Sequence, residues 1–315
     1  MAYITAGDVR LRARRSCLSV PASSPKMLGK APGLDADEVF MDLEDSVAPA
    51  EKEGARKNVI AALNDNDYAG KTVVVRVNGV YTHWCYGDII EIVEAAGQHI
   101  DCIMIPKVQE PSDVIFVANL LRMIEETNGF ERRIGIEAQI ENALGLTNID
   151  AIAASSDRLE TLIFGPGDMA AAMGMPHSTV GQIEPNYPGD HWHWILMEIL
   201  VAARNRNLQA IDGPYAAIRD LDGFREVAKR SRALGYDGKW ALHPDQITIL
   251  NEVFTPSQEE YDRAEDILEA YQKATDEDRA GAVLFGDEMI DEASRKMAAV
   301  HAARGRAAGL KRSKA

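Results

Sequence analysis

Eight short runs of apolar and β-branched residues recur along the chain, and stretches with helical periodicity separate them. The runs are SCLSVP (from Ser16), VFMDLED (from Val39), KTVVVRVN (from Lys71), CIMIPKV (from Cys102), RIGIEAQIE (from Arg133), TLIFGPGD (from Thr161), QAIDGP (from Gln209) and GKWALHP (from Gly238). Helix candidates between them include residues 52–63, 89–96, 114–127, 194–206 and 221–234. Strands that alternate with helices are typical of parallel α/β folds, and eight such units favour a closed (β/α)8 barrel, the TIM-barrel fold.

The chain of 315 residues is longer than one such barrel requires, since about 250 residues are typical of the fold. We therefore predict a barrel over residues 1–256 and a helical extension over residues 257–315, with two helices around a GAVLFGD turn. A doubly wound open sheet is the alternative. No GxGxxG follows the first run, so a dinucleotide-binding version of that sheet is not favoured.

The formal net charge of −15 argues against non-specific binding to nucleic acid or to an anionic membrane. No apolar run approaches membrane-spanning length, and the N-terminus lacks the apolar core of a secretory signal. Three widely spaced cysteines, Cys17, Cys85 and Cys102, give neither a disulfide framework nor a CxxC metal site. We expect a cytoplasmic protein that acts on small molecules.

Polar side chains end seven of the eight runs. Active sites of such barrels lie at the C-terminal ends of the strands, so these side chains should lie close together. They are Glu44, Asp45, Arg76, Asn78, Lys107, Glu141, Asp168, Asp212 and His243. In IPKV, for example, Lys107 does not fit the interior of a buried parallel strand and should lie where the strand emerges.

Two of these carboxylates, Glu141 and Asp168, end adjacent strands and should both reach one ion. Mg²⁺ is the ion that such a sparse pair suits, because it keeps several waters and takes further oxygens from a substrate. Arg76 adds a permanent cation suited to a carboxylate, a carbonyl oxygen or a developing oxyanion. A salt bridge to Glu44 or Asp45 that merely holds the barrel mouth together is the structural alternative for this arginine.

A metal and an arginine beside carboxylates, without a Ser/His or Cys/His pair, indicate chemistry in which an oxyanion or enolate is stabilised electrostatically. Carbon–carbon bond formation or cleavage next to a carbonyl fits this arrangement. The residues alone leave aldol chemistry, decarboxylation and phosphoenolpyruvate chemistry open.

Several longer segments carry a resemblance to a known family. They are VFMDLEDSVAPAEKEGARKNV, VVVRVNG, IMIPKV, IEAQIENALGLTNIDAIAASSDRLETLIFGPGDMAA and IDGPYAAIRDLDGF with GYDGKWALHPDQI and VFTPS. Taken in order, they resemble the citrate lyase β-subunit-like acyl-CoA lyases of the HpcH/HpaI aldolase family. The resemblance runs from about Arg12 to the C-terminal helices and so covers nearly the whole chain.

The resemblance implies that Glu141 and Asp168 bind Mg²⁺, with Mn²⁺ as a possible substitute, and that Arg76 orients an oxo acid. Glu44 and Asp45 would act through metal-bound water and neighbouring side chains. The C-terminal extension would be a lid over a neighbouring subunit's active site, and its Asp291 would supply a catalytic carboxylate in trans. A homo-oligomer, a trimer or a hexamer, is therefore implied.

The implied reaction is the reversible Claisen-type cleavage of (S)-malyl-CoA to acetyl-CoA and glyoxylate, with β-methylmalyl-CoA as a second substrate. Lys26 and Lys30, just after the first run, would contact the coenzyme A phosphates. This chain has Pro21 and Ala22 where the family usually has Pro-Gly.

Four alternatives stay open at this point. Cleavage of citramalyl-CoA to acetyl-CoA and pyruvate differs by one methyl group, which is worth only about 1–3 kcal/mol of discrimination. Hydrolysis of the malyl-CoA thioester and a carrier-dependent citrate lyase β subunit are two more. A non-catalytic subunit is the fourth, and the intact set of Arg76, Glu141, Asp168 and Asp291 argues against it.

Overall fold

The computed structural model of the chain describes residues 3–6, 9–176, 179–277 and 281–313. A hairpin of β1 (Tyr3–Ala6) and β2 (Val9–Arg12) precedes eight parallel strands. These strands are β3 (Ser16–Pro21), β4 (Glu38–Asp42), β5 (Thr72–Arg76), β6 (Cys102–Ile105), β7 (Gly135–Ile140), β8 (Leu159–Phe164), β9 (Gln209–Asp212) and β10 (Gly238–Ala241). Each strand pairs with the next, and β10 pairs with β3, so the sheet closes into the barrel that the sequence predicts.

Helices follow the strands around the barrel and continue beyond it. They are α1 (Pro25–Leu28), α2 (Lys52–Asp65), α3 (Cys85–Ala96), α4 (Pro111–Asn128), α5 (Ala143–Thr147), α6 (Ile149–Ala153), α7 (Pro166–Ala172), α8 (His193–Asn205), α9 (Leu221–Leu234), α10 (Pro244–Phe254), α11 (Gln258–Glu277) and α12 (Glu292–Ala307). Helix α4 illustrates how local sequence sets the bounds. A capping box of Glu110 and Asp113 starts it, and Gly129, in the left-handed region with φ 66°, ends it.

The barrel interior changes from polar to apolar and back to polar along the strands. In β4, Glu38, Phe40 and Asp42 share one face because successive side chains of a strand alternate. The middle layer is apolar and contains Cys17, Phe40, Val74, Cys102, Met104, Ile163, Ile211 and Trp240. Side chains two residues further along, such as Asp42 and Arg76, therefore emerge at the C-terminal mouth, where the sequence predicts the site.

A buried ion cluster fills the opposite, N-terminal end of the barrel. Arg14 donates to Glu38 at 3.0 Å, to Glu137 at 2.9 Å and to Gln209 at 2.6 Å. It also pairs with Glu160 at 2.9 Å. One cation thus joins four strands, which closes this end of the barrel.

The chain divides into two compact units whose boundaries differ from the predicted domains of 1–256 and 257–315. One unit is Arg14–Glu252, which holds the barrel, and the other combines Ala2–Ala13 with Val253–Ala315. In the second unit α11 packs on α12 around Tyr261, Ala264, Ala298 and Ala302. Helix α12 also contacts β1, a pairing of chain ends that no local pattern indicates.

The segment predicted as a GAVLFGD turn is a β-hairpin. Strands β11 (Ala282–Phe285) and β12 (Glu288–Asp291) pair antiparallel, and Gly286 takes a positive φ of 58° at the turn. Four-residue strands are too short to give a clear alternating pattern, which is why only the turn was recognised. None of the described helices combines the length and the apolar character that a membrane span needs.

Candidate active site

Arg76 and Asp42 form the base of the barrel mouth. The two residues are direct register partners in β4 and β5. Arg76 donates from Nε to Asp42 Oδ1 and from Nη2 to Asp42 Oδ2, both at 2.7 Å, so the pair is bidentate. Burial works to raise the pKa of Asp42, but the charge and hydrogen bonds of Arg76 hold it below its ordinary value. Asp42 therefore stays ionised and fixes the plane of the guanidinium group.

Further contacts hold Arg76 from the sides and from below. Its Nη1 lies 3.2 Å from Glu44 Oε2 and 3.4 Å from Gln139 Oε1. The guanidinium carbon lies 5.1 Å from the ring centre of Trp240 and 5.9 Å from that of Phe40. The arginine thus lies over an aromatic surface, as cation–π geometry favours. The predicted salt bridge to Glu44 coexists with this position.

Glu141 is a buried carboxylate of the mouth. It accepts from the backbone N–H of Lys107 at 2.7 Å and from Gln139 Nε2 at 2.5 Å. Burial, and then the nearby charge of Asp168, raise the pKa of Glu141 to about 8. A carboxylate in such surroundings favours a bound cation, because the cation offsets both effects.

Asp168 reaches the same region from the first turn of α7. The FGPGD motif brings it close to Glu141, and Gly165 is required for this approach. A Cβ atom at Gly165 would lie 2.3 Å from Glu141 Oε2, well inside contact distance. The glycine therefore has a packing reason beyond the flexibility expected of a loop.

The pair of Glu141 and Asp168 fits Mg²⁺ in its donor chemistry. The charge of Asp168 raises the pKa of buried Glu141, so a cation bound by both carboxylates would relieve their repulsion. Among the described residues there is no group of three or more histidine, cysteine or acidic side chains placed to enclose a metal. A site of two carboxylates completed by water and substrate oxygens is what Mg²⁺ commonly uses.

Lys107 lies among the acidic side chains of the mouth. Its ammonium group pairs with Glu44, lies 3.1 Å from Asp45 and lies 3.6 Å from Asp168. This pairing agrees with the prediction that the lysine emerges from its strand. Burial raises the pKa of Glu44, with Arg76 and Lys107 opposing that rise.

Other predicted strand-end residues serve the surrounding structure. Asp212 pairs with buried Lys239 at 2.6 Å, and Asn78 donates from Nδ2 to Asp88 at 2.7 Å. His243 lies 3.4 Å from Asp245 at the start of α10. The three residues thus have partners of their own.

Asp42 and Gln139 were missed by the sequence analysis although both contact Arg76. The signal that identifies them is alternation, since Asp42 lies two residues after inward-facing Phe40 and Gln139 two residues before Glu141. Counting in steps of two from known interior residues would have placed both in the mouth.

Three predicted residues lie outside this cluster. Lys26 and Lys30 are exposed at α1, just after β3. Asp291 belongs to the second unit and is the N-cap of α12, where it accepts from the backbone N–H groups of Ala293 and Ser294. The hydrogen bond from Ser294, followed by that from Ala293, lowers the pKa of Asp291. Its catalytic role stays a prediction.

The fold and the mouth together define a class, a (β/α)8 protein with a buried arginine clamp and paired carboxylates at the C-terminal end of the barrel. The model of the HpcH/HpaI aldolase/citrate lyase family matches residues 15–244, and the chain belongs to this family. It is 40% identical to an L-malyl-CoA/beta-methylmalyl-CoA lyase of Rhodobacter capsulatus, over 95% of this chain and 97% of the relative.

Two further proteins, one curated relative and one solved structure, are similar to the chain. The chain is 36% identical to a (3S)-malyl-CoA thioesterase of Cereibacter sphaeroides, over 86% of this chain and 88% of the relative. The crystal structure of CitE from Mycobacterium tuberculosis in complex with magnesium, acetoacetate and coenzyme A is 28% identical. It matches with a TM-score of 0.74 over 95% of this chain and 100% of that chain. The family assignment made from the sequence is confirmed.

Proposed function

We propose that the chain is a Mg²⁺-dependent acyl-CoA lyase that cleaves (S)-malyl-CoA reversibly to acetyl-CoA and glyoxylate. β-Methylmalyl-CoA, which gives propionyl-CoA and glyoxylate, is the second proposed substrate. The observation that carries the proposal is the clamp of Arg76 beside the carboxylate pair of Glu141 and Asp168. The relatives named above support the choice of malyl thioesters.

Glu141 and Asp168 would hold the metal, and Arg76 would orient the oxo acid. When bound, Mg²⁺ supplies positive charge to the oxygens of glyoxylate and of the substrate hydroxyl group. The guanidinium group is prearranged by Asp42, so little reorganisation is needed when negative charge develops. Mn²⁺ is the alternative ion to test.

Proton transfer completes the reaction. In cleavage, a base takes the hydroxyl proton, the C–C bond breaks, and the bonding electrons pass to the thioester fragment as an enolate. That enolate takes a proton at its α carbon and leaves as acetyl-CoA. In the synthetic direction, we assign removal of the α proton to Asp291. Its pKa is lowered, so the carboxylate is ionised near neutral pH, as a group that receives a proton must be.

Asp291 would act on a neighbouring subunit, which makes the enzyme a homo-oligomer, either a trimer or a dimer of trimers. The hairpin that leads into Asp291 supports this arrangement. Its cross-strand partners Leu284 and Met289 are 72% and 75% exposed. Large apolar side chains paired on one exposed surface are typical of a face that another chain covers.

Coenzyme A would lie along α1, with Lys26 and Lys30 as cations for its phosphates. Both are exposed and available to a ligand. Cys17, Cys85 and Cys102 are buried and form no disulfide with one another, which suits a reducing compartment, and we propose a cytoplasmic location on that ground.

The test is to incubate the purified full-length protein with malyl-CoA, β-methylmalyl-CoA and citramalyl-CoA, with Mg²⁺ and with chelator. Glyoxylate, pyruvate and free coenzyme A are measured separately. Glyoxylate release that depends on Mg²⁺ is the expected result. Free coenzyme A without glyoxylate would instead support a thioesterase, the second candidate, which one relative favours. Pyruvate from citramalyl-CoA alone would move the proposal to that substrate. No product from any of the three substrates would favour a carrier-dependent or non-catalytic subunit.

A further inference from the structure

Lys107 follows strand β6 and has a left-handed backbone with a φ of 54°. Residues with a side chain avoid this region, so the surroundings must impose it. In this conformation the backbone N–H of Lys107 donates to Glu141 Oε1 at 2.7 Å. The unusual conformation thus serves one of the two carboxylates that we propose as metal ligands.

The side chain of Lys107 reaches three further carboxylates. It pairs closely with Glu44, and its Nζ lies 3.1 Å from Asp45 and 3.6 Å from Asp168. The contact with Asp168 is the longest and lies beyond ordinary hydrogen-bonding distance, so it is the weakest of the three. One residue therefore contacts four acidic groups, through its backbone on one side and its ammonium group on the other.

We propose that Lys107 is an internal counter-ion that competes with Mg²⁺ for Asp168 and thereby sets the affinity of the metal site. The inference rests on the proposed function, because it takes Glu141 and Asp168 as the ligands. In the metal-free protein the ammonium group offsets repulsion among the carboxylates. When the metal binds, the ammonium group stays paired with Glu44 and Asp45 but no longer pairs with Asp168. Lys107 is a positioning residue in this scheme.

Titration calorimetry of the metal-free, full-length protein with MgCl₂ tests this role. Lys107→Asn removes the charge, and asparagine tolerates the left-handed backbone, so the N–H bond to Glu141 is retained. We expect this variant to bind Mg²⁺ about fivefold more tightly at low ionic strength, with a smaller difference in added salt. Lys107→Arg retains the charge and should bind Mg²⁺ like the wild type. Lys57→Asn, at an exposed position of α2, is the control for net charge.

Thermal unfolding gives a second readout that does not depend on activity. The rise in Tm caused by saturating Mg²⁺ should be larger for Lys107→Asn than for the wild type, because tighter binding stabilises the folded state more. Equal or weaker Mg²⁺ binding by Lys107→Asn would overturn the competition. If the wild type binds Mg²⁺ and Lys107→Asn binds it no more tightly, only the competition is refuted. The proposed lyase function is then unaffected. If the wild type binds no Mg²⁺, both the proposed metal site and this inference are refuted.

Discussion

Arg76 has a geometry that another cation cannot reproduce. Both of its bonds to Asp42 are 2.7 Å long, and its plane lies over Trp240. Lysine keeps the charge but lacks the planar fork. We expect Arg76→Lys to lower kcat for malyl-CoA cleavage about 100-fold, because a small displacement of an orienting group has a cost of that order. Glyoxylate release measures the effect, and near-normal turnover would contradict it. Arg122→Lys, at an exposed position of α4, is the control.

At the scale of an element, the link between β8 and α7 depends on Gly165. A Cβ atom there would overlap Glu141 Oε2 at 2.3 Å, whereas at Gly167 it would meet Val180 at an ordinary 3.5 Å. Gly165→Ala should therefore displace Glu141 and weaken Mg²⁺ binding by roughly tenfold or more. Gly167→Ala should leave the binding unchanged, since alanine also favours the helix. Calorimetric titration compares the two variants, and equal affinities would refute the assignment of Glu141 as a ligand.

At the scale of the whole molecule, the buried cluster at the N-terminal end of the barrel predicts a pH dependence of stability. Burial, and then the neighbouring charge of Glu137, raise the pKa of Glu38 well above its ordinary value. Burial also raises the pKa of Glu137, while Arg14 opposes that rise. When the pKa of a glutamate is raised in the folded state, its contribution to the free energy of unfolding is complete below the unfolded-state pKa. The stabilisation is lost as the pH rises through the folded-state pKa.

The free energy of unfolding should thus decline as the pH rises above about 5, and that of Glu38→Gln should decline less steeply because glutamine needs no proton. Urea unfolding across this range measures the slopes, with Glu53→Gln on α2 as an exposed control. In the metal-free protein Glu141, whose pKa is about 8, adds a decline of the same sign. This contribution is the same in the wild type, Glu38→Gln and Glu53→Gln, so it does not affect their comparison. Parallel slopes for the wild type and Glu38→Gln would argue against a proton held by Glu38.

The assembly itself gives the remaining prediction. If Asp291 acts on a neighbouring subunit, Arg76→Ala and Asp291→Ala should each be inactive alone but regain activity when co-expressed. Hybrid oligomers then contain an active site with an intact Arg76 and a partner's intact Asp291. Activity of the co-purified mixture measures this, with light scattering to establish the oligomer. Mixtures that stay inactive would place Asp291 in the same subunit as Arg76, and an Asp291→Ala variant that is active alone would place Asp291 outside catalysis.

Local pattern was enough to predict the eight strands, the closed barrel and most residues of its mouth. Apolar periodicity depends only on neighbouring residues, and the strand ends of a barrel meet at one face whatever their separation in sequence. Tertiary structure decided the contacts that depend on close approach, namely the clamp of Asp42 on Arg76 and the space that Gly165 leaves for Glu141. It also decided the left-handed backbone of Lys107 and the grouping of Ala2–Ala13 with Val253–Ala315. These features depend on contacts between residues that are far apart in the chain. The interactions that stabilise them therefore form only when the chain folds.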